Sequence, residues 1–286
     1  MSKHTFSLAR LVRRFWRRTT LTWALVLLEG ACLVLMPLVI GWTVDDLMNG
    51  SHSGLLKLAA LCGLLLVVGA GRRVYDTRAY ARIYRTVVGE LVAQEQNRGT
   101  SLSKISARSS LFTELIYFLE ESIPGILHQF INLAGTLVII ALIDSKVFLV
   151  CLASMVFTAL VYGFSEKRIF RLNAGANDEL ERQVDVLASR GEREIGGHFK
   201  RLMDWRIKLS DLETLNFSLV WVALASLLIL TVVIVTSSGE VTFGQIVSTV
   251  MYVFGFTESV LVLPLYFQQL IRLREITTRL ASADAS

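Results

Sequence analysis

Residues 215–236 read L-N-F-S-L-V-W-V-A-L-A-S-L-L-I-L-T-V-V-I-V-T, 22 positions without one charged side chain. A helix needs about 20 mostly apolar residues to cross the hydrocarbon of a bilayer. In lipid, a single helix satisfies all of its backbone groups from within the segment. Working outward, five more stretches of this kind occur, so spans are expected at 21–44, 55–75, 118–143, 147–168, 213–237 and 241–271. They are too long and too evenly apolar to be barrel strands. The first exceeds the core of a signal peptide and has no small-residue cleavage site behind it, so it is expected to remain as a span. Composition agrees: 53% of the 286 residues are hydrophobic, 19% are charged, and mean hydropathy is +0.54. A soluble domain is about 45–50% apolar and about 25% charged, which argues against a water-soluble enzyme. Three prolines in the whole chain favour long helices over loop-rich β architecture. The expected fold class is all-α, a polytopic membrane protein with six transmembrane helices.

With the apolar cores of the second and fourth spans ending at Gly71 and Ser165, every one of the 29 lysines and arginines except Lys57 and Lys146 lies before the first span, between the second and third, between the fourth and fifth, or after the sixth. The positive-inside rule then places both termini in the cytoplasm, as a multi-pass protein of the plasma membrane, which in a bacterium is the inner membrane. The outer loops carry Asp45, Asp46, Asp144 and Glu240. The net charge of +5 sits where anionic cytoplasmic-leaflet lipid attracts it, and no nucleic-acid partner is needed to explain it. Residues 1–20, with Arg10, Arg13, Arg14, Arg17 and Arg18 among Leu11, Phe15 and Trp16, read as a basic interfacial segment. Trp205, Arg206 and Lys208 read as an interfacial anchor ahead of the fifth span. Cys32, Cys62 and Cys151 fall inside apolar spans as small hydrophobes, and His4, His52, His128 and His198 are scattered, so no metal site is expected. Regions 76–117 and 169–212 are charged, poor in proline and helical in composition, which suggests that spans two to five continue as helices into the cytoplasm. Breaks are expected at Gly99 to Ser110 and at Gly191 to Gly197.

Three stretches carry a family resemblance. They are L-M-P-L-V-I-G-W-T-V-D-D-L-M (Leu35 to Met48), I-S-A-R-S-S-L-F-T-E-L-I-Y-F-L-E-E-S-I-P-G-I-L (Ile105 to Leu127) and G-E-V-T-F-G-Q-I-V-S-T-V-M-Y (Gly239 to Tyr252), the last followed by a basic exit through Arg272, Arg274 and Arg279. In this order and within this topology, nearly the whole chain resembles the six-helix transmembrane domain of ABC exporters. The resemblance implies a single such domain over 1–286, paired as a homodimer or heterodimer in which the fourth and fifth helices reach across to the other subunit. It also implies coupling regions that touch nucleotide-binding domains, which here fall on Leu102, Lys104, Arg108, Glu192 and Arg193. Two departures stand beside it. The second inside segment reads N-A-G-A-N-D-E-L-E-R-Q-V-D-V-L in place of the usual coupling-region wording, and no Gly-Lys dipeptide occurs, so the phosphate-cradling G-x-x-x-x-G-K-[ST] is absent. An exporter's ATPase domain of about 200 residues is not found in this sequence. The chain is therefore expected not to be an enzyme and to bind no cofactor of its own, with ATP handled by a separate ATPase subunit.

Charged residues inside spans are costly, by at least about 2.5–3.5 kcal/mol at the helix centre. Glu29 in the first span and Glu258 in the sixth are candidates for cavity lining or proton coupling, or for packing carboxylates that are hydrogen-bonded or face water. His128 and Asn132, four apart in the third span, are candidates for cavity lining or interhelical hydrogen bonding. Gln245, Ser248, Thr249 and Tyr252 form a polar face on the sixth helix, which is expected to line the central pathway or the dimer axis, with Gln245, Ser248 and Tyr252 as cavity candidates and Pro264 as an expected kink. The leading expectation is the membrane-spanning translocation subunit of an ABC-exporter-like transporter. The alternatives are an ATPase-free proton-coupled transporter, or a non-transporting membrane scaffold or regulator of the same fold.

Overall fold

The computed structural model describes residues 13–189, 191–237, 239 and 241–285. It is 94% helical, with no strand among the described residues. We label the helices α1 (Trp16–Met48), α2 (Ser53–Asn97), α3 (Leu102–Tyr117), α4 (Ile123–Ile143), α5 (Ser145–Glu181), α6 (Gln183–Ser189), α7 (Glu192–Ser237) and α8 (Phe243–Ala285). A five-residue π turn, Phe118–Ser122, joins α3 to α4. Among the described residues, six stretches of helix are long and apolar enough to cross a membrane, as expected, and each runs past at least one of the bounds read from hydropathy. At 45 residues, α2 is about 68 Å long, more than twice the roughly 30 Å of bilayer hydrocarbon. Large apolar side chains such as Leu56, Leu66, Leu142 and Phe164 lie on the outside of the helices. Lipid accounts for such exposure where water would not.

The chain divides into two compact units, residues 1–143 with 238–286, and residues 144–237. In the first unit α1 is central and packs against α2, α4 and α8. The charged lower part of this unit has a core of its own. Tyr80, Ile83, Val87 and Leu91 form a helical stripe on α2 and bury against Phe112, Leu115 and Ile116 of α3, Leu119 of the π turn and Ile276 of α8. The basic segment is tied to the same region, because both terminal nitrogens of Arg14 donate to the Glu90 carboxylate at 2.6 and 2.7 Å. Arg10 and Leu11 of that segment, Glu240, and the side chains of Arg272, Arg274 and Arg279 lie outside the described residues.

The second unit is a long antiparallel hairpin of α5 and α7. Asp144 caps α5 by accepting from the backbone nitrogens of Lys146 and Val147 at 2.7 and 3.2 Å. Val147, Cys151, Ser154 and Thr158 of α5, and Val220, Leu224, Leu227, Thr231 and Val235 of α7, recur at spacings of three and four and form buried seams. The small side chains on α5 let the two backbones come close. Polar bridges set the register: Ser165 Oγ donates to Asn216 Oδ1 at 2.7 Å, and Glu179 receives Arg201 Nε at 2.9 Å and stands 2.9 Å from the buried His198 Nδ1. Trp205 lies across the hairpin over Gly175, where a Cβ would stand 2.9 Å from its ring, with Lys208 Nζ 4.9 Å from the ring centroid. Trp205 also packs within the hairpin, because Gly175 leaves room for the indole.

Two expectations about helix ends are corrected. The first break is confined to 98–101, since α3 resumes at Leu102 and runs through Ser110. Gly99, at φ +70°, ends α2 in the left-handed conformation that glycine tolerates, and its N–H donates to the Gln96 carbonyl at 3.0 Å. The second break precedes Glu192, so that Gly196 and Gly197 lie inside α7, and the short helix α6 fills the turn. Pro264, the expected kink, lies inside α8.

Candidate functional site

The site is built where the apolar part of α2 gives way to R-R-V-Y-D (Arg72 to Asp76). Arg72 and Asp76 are four apart on one face of α2, and Thr22 and Glu29 are seven apart on the facing side of α1, so helical periodicity brings all four together. Arg72 Nε donates to Glu29 Oε2, Arg72 Nη1 donates to Asp76 Oδ2 at 3.1 Å, and Thr22 Oγ1 donates to Asp76 Oδ1 at 2.7 Å. The side chains of Arg72, Glu29 and Asp76 are 16%, 13% and 6% exposed. Gly69 gives the Glu29 carboxylate its space, since a Cβ there would lie 3.2 Å from Oε1. An arginine paired with two carboxylates makes a group of charges tolerable at this depth, where each alone would be costly.

Beside this group lies a cavity of about 440 Å³, lined by Val26, Arg72, Arg73, Asp76, Thr77, Glu120, Glu121, Pro124, Gly125 and His128. The π turn contributes the consecutive Glu120 and Glu121. Such turns insert one residue into a helical register and recur at functional sites. On the other side of the turn, Glu121 and Gly125 also line a second cavity of about 360 Å³, which Glu114, Tyr117, Tyr266 and Gln269 help to enclose.

The residues singled out from sequence divide among three places. Glu29 and His128 belong to the charged site, Glu29 through its ion pair and His128 as a wall of the cavity. Asn132 Nδ2 donates to Ser259 Oγ at 3.0 Å and ties α4 to α8. Glu258 lines neither cavity, is exposed, and forms no ion pair among the described residues. Gln245, Ser248 and Tyr252 stand apart from both cavities, at the far end of the unit. There Asp45 caps α8: its Oδ1 accepts from Gly244 N at 2.8 Å and its Oδ2 from Thr242 Oγ1 at 2.7 Å. Thr242 and Gln245 complete a reciprocal capping box. Ser248 is buried beside Gly41, and Tyr252 Oη donates to the Val34 carbonyl at 2.7 Å. The polar face of α8 is therefore turned toward α1, where these bonds hold the helices together.

Two stretches that carried the resemblance, Leu35 to Met48 and Gly239 to Tyr252, thus meet in one contact between α1 and α8. A family model described as ABC transporter transmembrane region matches residues 8–244. The chain belongs to this family. A search of curated proteins finds no match. Within this transmembrane region, sequence reasoning missed Arg72, Asp76, Glu120 and Glu121. The signal for the first two was a charge pair at i and i+4 bordering a span, and for the last two an E-E pair opening one.

The residues expected in coupling regions lie at the turns between long helices. Leu102 and Lys104 are exposed in the first turn of α3, and Glu192 and Arg193 are exposed in the first turn of α7. Arg108 instead faces inward, its Nη1 donating to the buried Glu95 Oε1 at 2.6 Å, while Thr100 Oγ1 donates to Oε2 at 2.8 Å. Burial draws the Glu95 carboxyl upward, but the Thr100 hydroxyl and the charges of Arg108 and Arg98 outweigh it and hold the group below the usual carboxylate range. With the folded value depressed, this stabilisation is present above the ordinary carboxylate pKa and is lost as pH falls through the folded one. Hydrogen exchange at 98–102 should therefore accelerate, beyond the intrinsic change, as pH falls below the ordinary glutamate value of about 4.3. In Glu95→Gln it should be fast throughout and lack that acid step. An acid step of equal size in the variant would refute the assignment to Glu95.

Proposed function

We propose that the chain is the membrane-spanning translocation unit of an ABC-exporter-like transporter, acting as a homodimer or heterodimer with ATP hydrolysed by a separate subunit. The observation that carries this reading is the charged cavity set among apolar spans in a chain of the ABC transmembrane family. A wall of arginine and carboxylates at that depth is costly unless it serves a polar cargo or path. The distribution of lysine and arginine supports a cytoplasmic location for both termini and for the turns at 98–101 and 182–191, which are placed to receive an ATPase. Glu258 supports a dimer, because an exposed carboxylate inside a span needs water or a second chain against it. The long α5–α7 hairpin is the natural element to meet that second chain. Binding of the ATPase to one packing of the helices better than another would drive the switch between inward- and outward-facing states.

The test is purification of the chain from its native membranes in mild detergent, followed by reconstitution. A co-purifying polypeptide with ATPase activity and ATP-dependent uptake are expected. Absence of both would overturn the reading. One residue favours a second reading, proton-coupled transport without an ATPase: Glu258 is free of ion pairs among the described residues, whereas Glu29 is held by Arg72. Uptake whose pH dependence is unaltered in Glu258→Gln would remove that alternative.

A further inference from the structure

We infer that Asp45 is the latch of an outer gate: it holds the seam between α1 and α8 shut, and its release lets the outer ends of these helices part. The inference rests on the translocation reading and deepens it by naming where the bundle opens and which residue keeps it closed. Asp45 and Asp46 are consecutive, so on a helix they point about 100° apart, and each reaches a different neighbour. Asp45 accepts from Gly244 N at 2.8 Å and from Thr242 Oγ1 at 2.7 Å, at the start of α8. Asp46 accepts from Ser53 Oγ at 2.7 Å and stands 3.6 Å from Lys57 Nζ, both on α2.

The two contacts are not equal. The short turn at 49–52 joins α1 to α2, and Thr43 Oγ1 also donates to the Gly54 carbonyl at 3.0 Å, so the outer ends of these two helices are held by the chain itself. Asp45 and Thr242 are 197 positions apart, and packing and hydrogen bonds alone close the seam between them. Among the described residues, two side chains bridge it by hydrogen bonds: Asp45 at the rim, and Tyr252, whose Oη donates to the Val34 carbonyl. Val34 lies about 16 Å deeper along α1 than Asp45. Between these bonds the helices meet at Gly41 and Gly244, a backbone contact with no interlocking side chain. Ser248 and Thr249, buried in this packing, donate to the Gln245 carbonyl of their own helix at 3.1 and 2.7 Å, so parting the seam strands neither hydroxyl. The hydrogen bonds lost on opening the rim are therefore those of one carboxylate. Asp45 is only half-buried, and water can take the place of both of its donors. Tyr252, deeper in the bundle, is the pivot below the latch.

The test has two arms. In the first, the full chain carries Cys62→Ala, Cys151→Ala and Ser248→Cys, and keeps Cys32, which is buried on α1 below the Tyr252 bond. Labelling of both thiols by the water-borne reagent methanethiosulfonate ethyltrimethylammonium is followed by mass spectrometry in dodecyl maltoside. Adding Asp45→Ala should speed labelling at position 248 about fivefold, the factor that corresponds to a lost cap of about 1 kcal/mol, and leave Cys32 slow. Asp45→Asn keeps an acceptor for Gly244 N and should restore the parent rate. An unchanged rate at 248, or Cys32 labelled as fast as 248, would overturn the latch; the second outcome would mark general loosening. In the second arm a short bifunctional methanethiosulfonate bridges Asp45→Cys to Thr242→Cys, or Asp46→Cys to Ser53→Cys, in the reconstituted transporter. The first bridge should abolish uptake until reductant is added, and the second should leave it within about twofold. Equal inhibition by both bridges, or none by the first, would overturn the gate. The labelling arm needs neither ATPase nor uptake, so its failure is distinct from failure of the translocation reading.

Discussion

Arg72→Met should destabilise the protein by about 3–5 kcal/mol, because it strands two mostly buried carboxylates without their counter-charge. Glu29 receives Arg72 Nε, Asp76 receives Nη1, and the remaining partner of Asp76, the Thr22 hydroxyl, carries no charge. The desolvation that Arg72 now offsets would fall on both acids at once. In detergent the thermal midpoint should drop by roughly 10 °C. The informative comparison is a triple variant that also carries Glu29→Gln and Asp76→Asn. Neutral amides of the same shape remove the stranded charges, so the triple should recover most of the loss. A single variant as stable as the parent, or a triple no better than the single, would show that the three residues do not act as one charge group.

The second large effect is expected at the other end of the same unit. A Cβ on Gly41 would stand 2.5 Å from the carbonyl oxygen of Gly244 and 3.0 Å from Ser248 Cβ. The nearer obstacle is backbone, which cannot rotate away as a side chain can. Gly41→Ala should force α1 and α8 apart at a cost of about 1–3 kcal/mol, and Gly41→Leu should cost more. The separation would also draw Asp45 from the start of α8, where it accepts from Gly244 N and Thr242 Oγ1. Asp45→Ala alone should cost about 1 kcal/mol as a lost cap. The two substitutions together should cost less than their sum, since the first has already broken what the second removes. Strict additivity of the thermal midpoints would separate the glycine contact from the cap.

These two sites differ in how far the sequence discloses them. The contact near Gly41 was foreshadowed, because Leu35 to Met48 and Gly239 to Tyr252 had both stood out, although nothing in either stretch said that they touch. Its polar residues misled in one respect. A helix face carrying Gln245, Ser248 and Tyr252 suggested a pathway, whereas Gln245 serves a capping box and Tyr252 reaches the Val34 carbonyl. Polar side chains inside a span satisfy a neighbouring backbone as readily as they line water. At the charged site, Glu29 was visible as an anomaly, but its partner is 43 positions away on another helix. Glu120 and Glu121 gave no helical pattern to follow, because the π turn departs from the period on which such patterns rest.

Partition between water and lipid is a sum over some twenty neighbouring residues, so the number of spans and the basic character of the connecting segments could be read along the chain without knowing what touches what. Which helix lies beside α1, which carboxylates close on Arg72, and where the register slips at Phe118–Ser122 are matters of contact between residues far apart in sequence. Those were decided only when close packing and the cost of unpaired charge acted together on the folded helices.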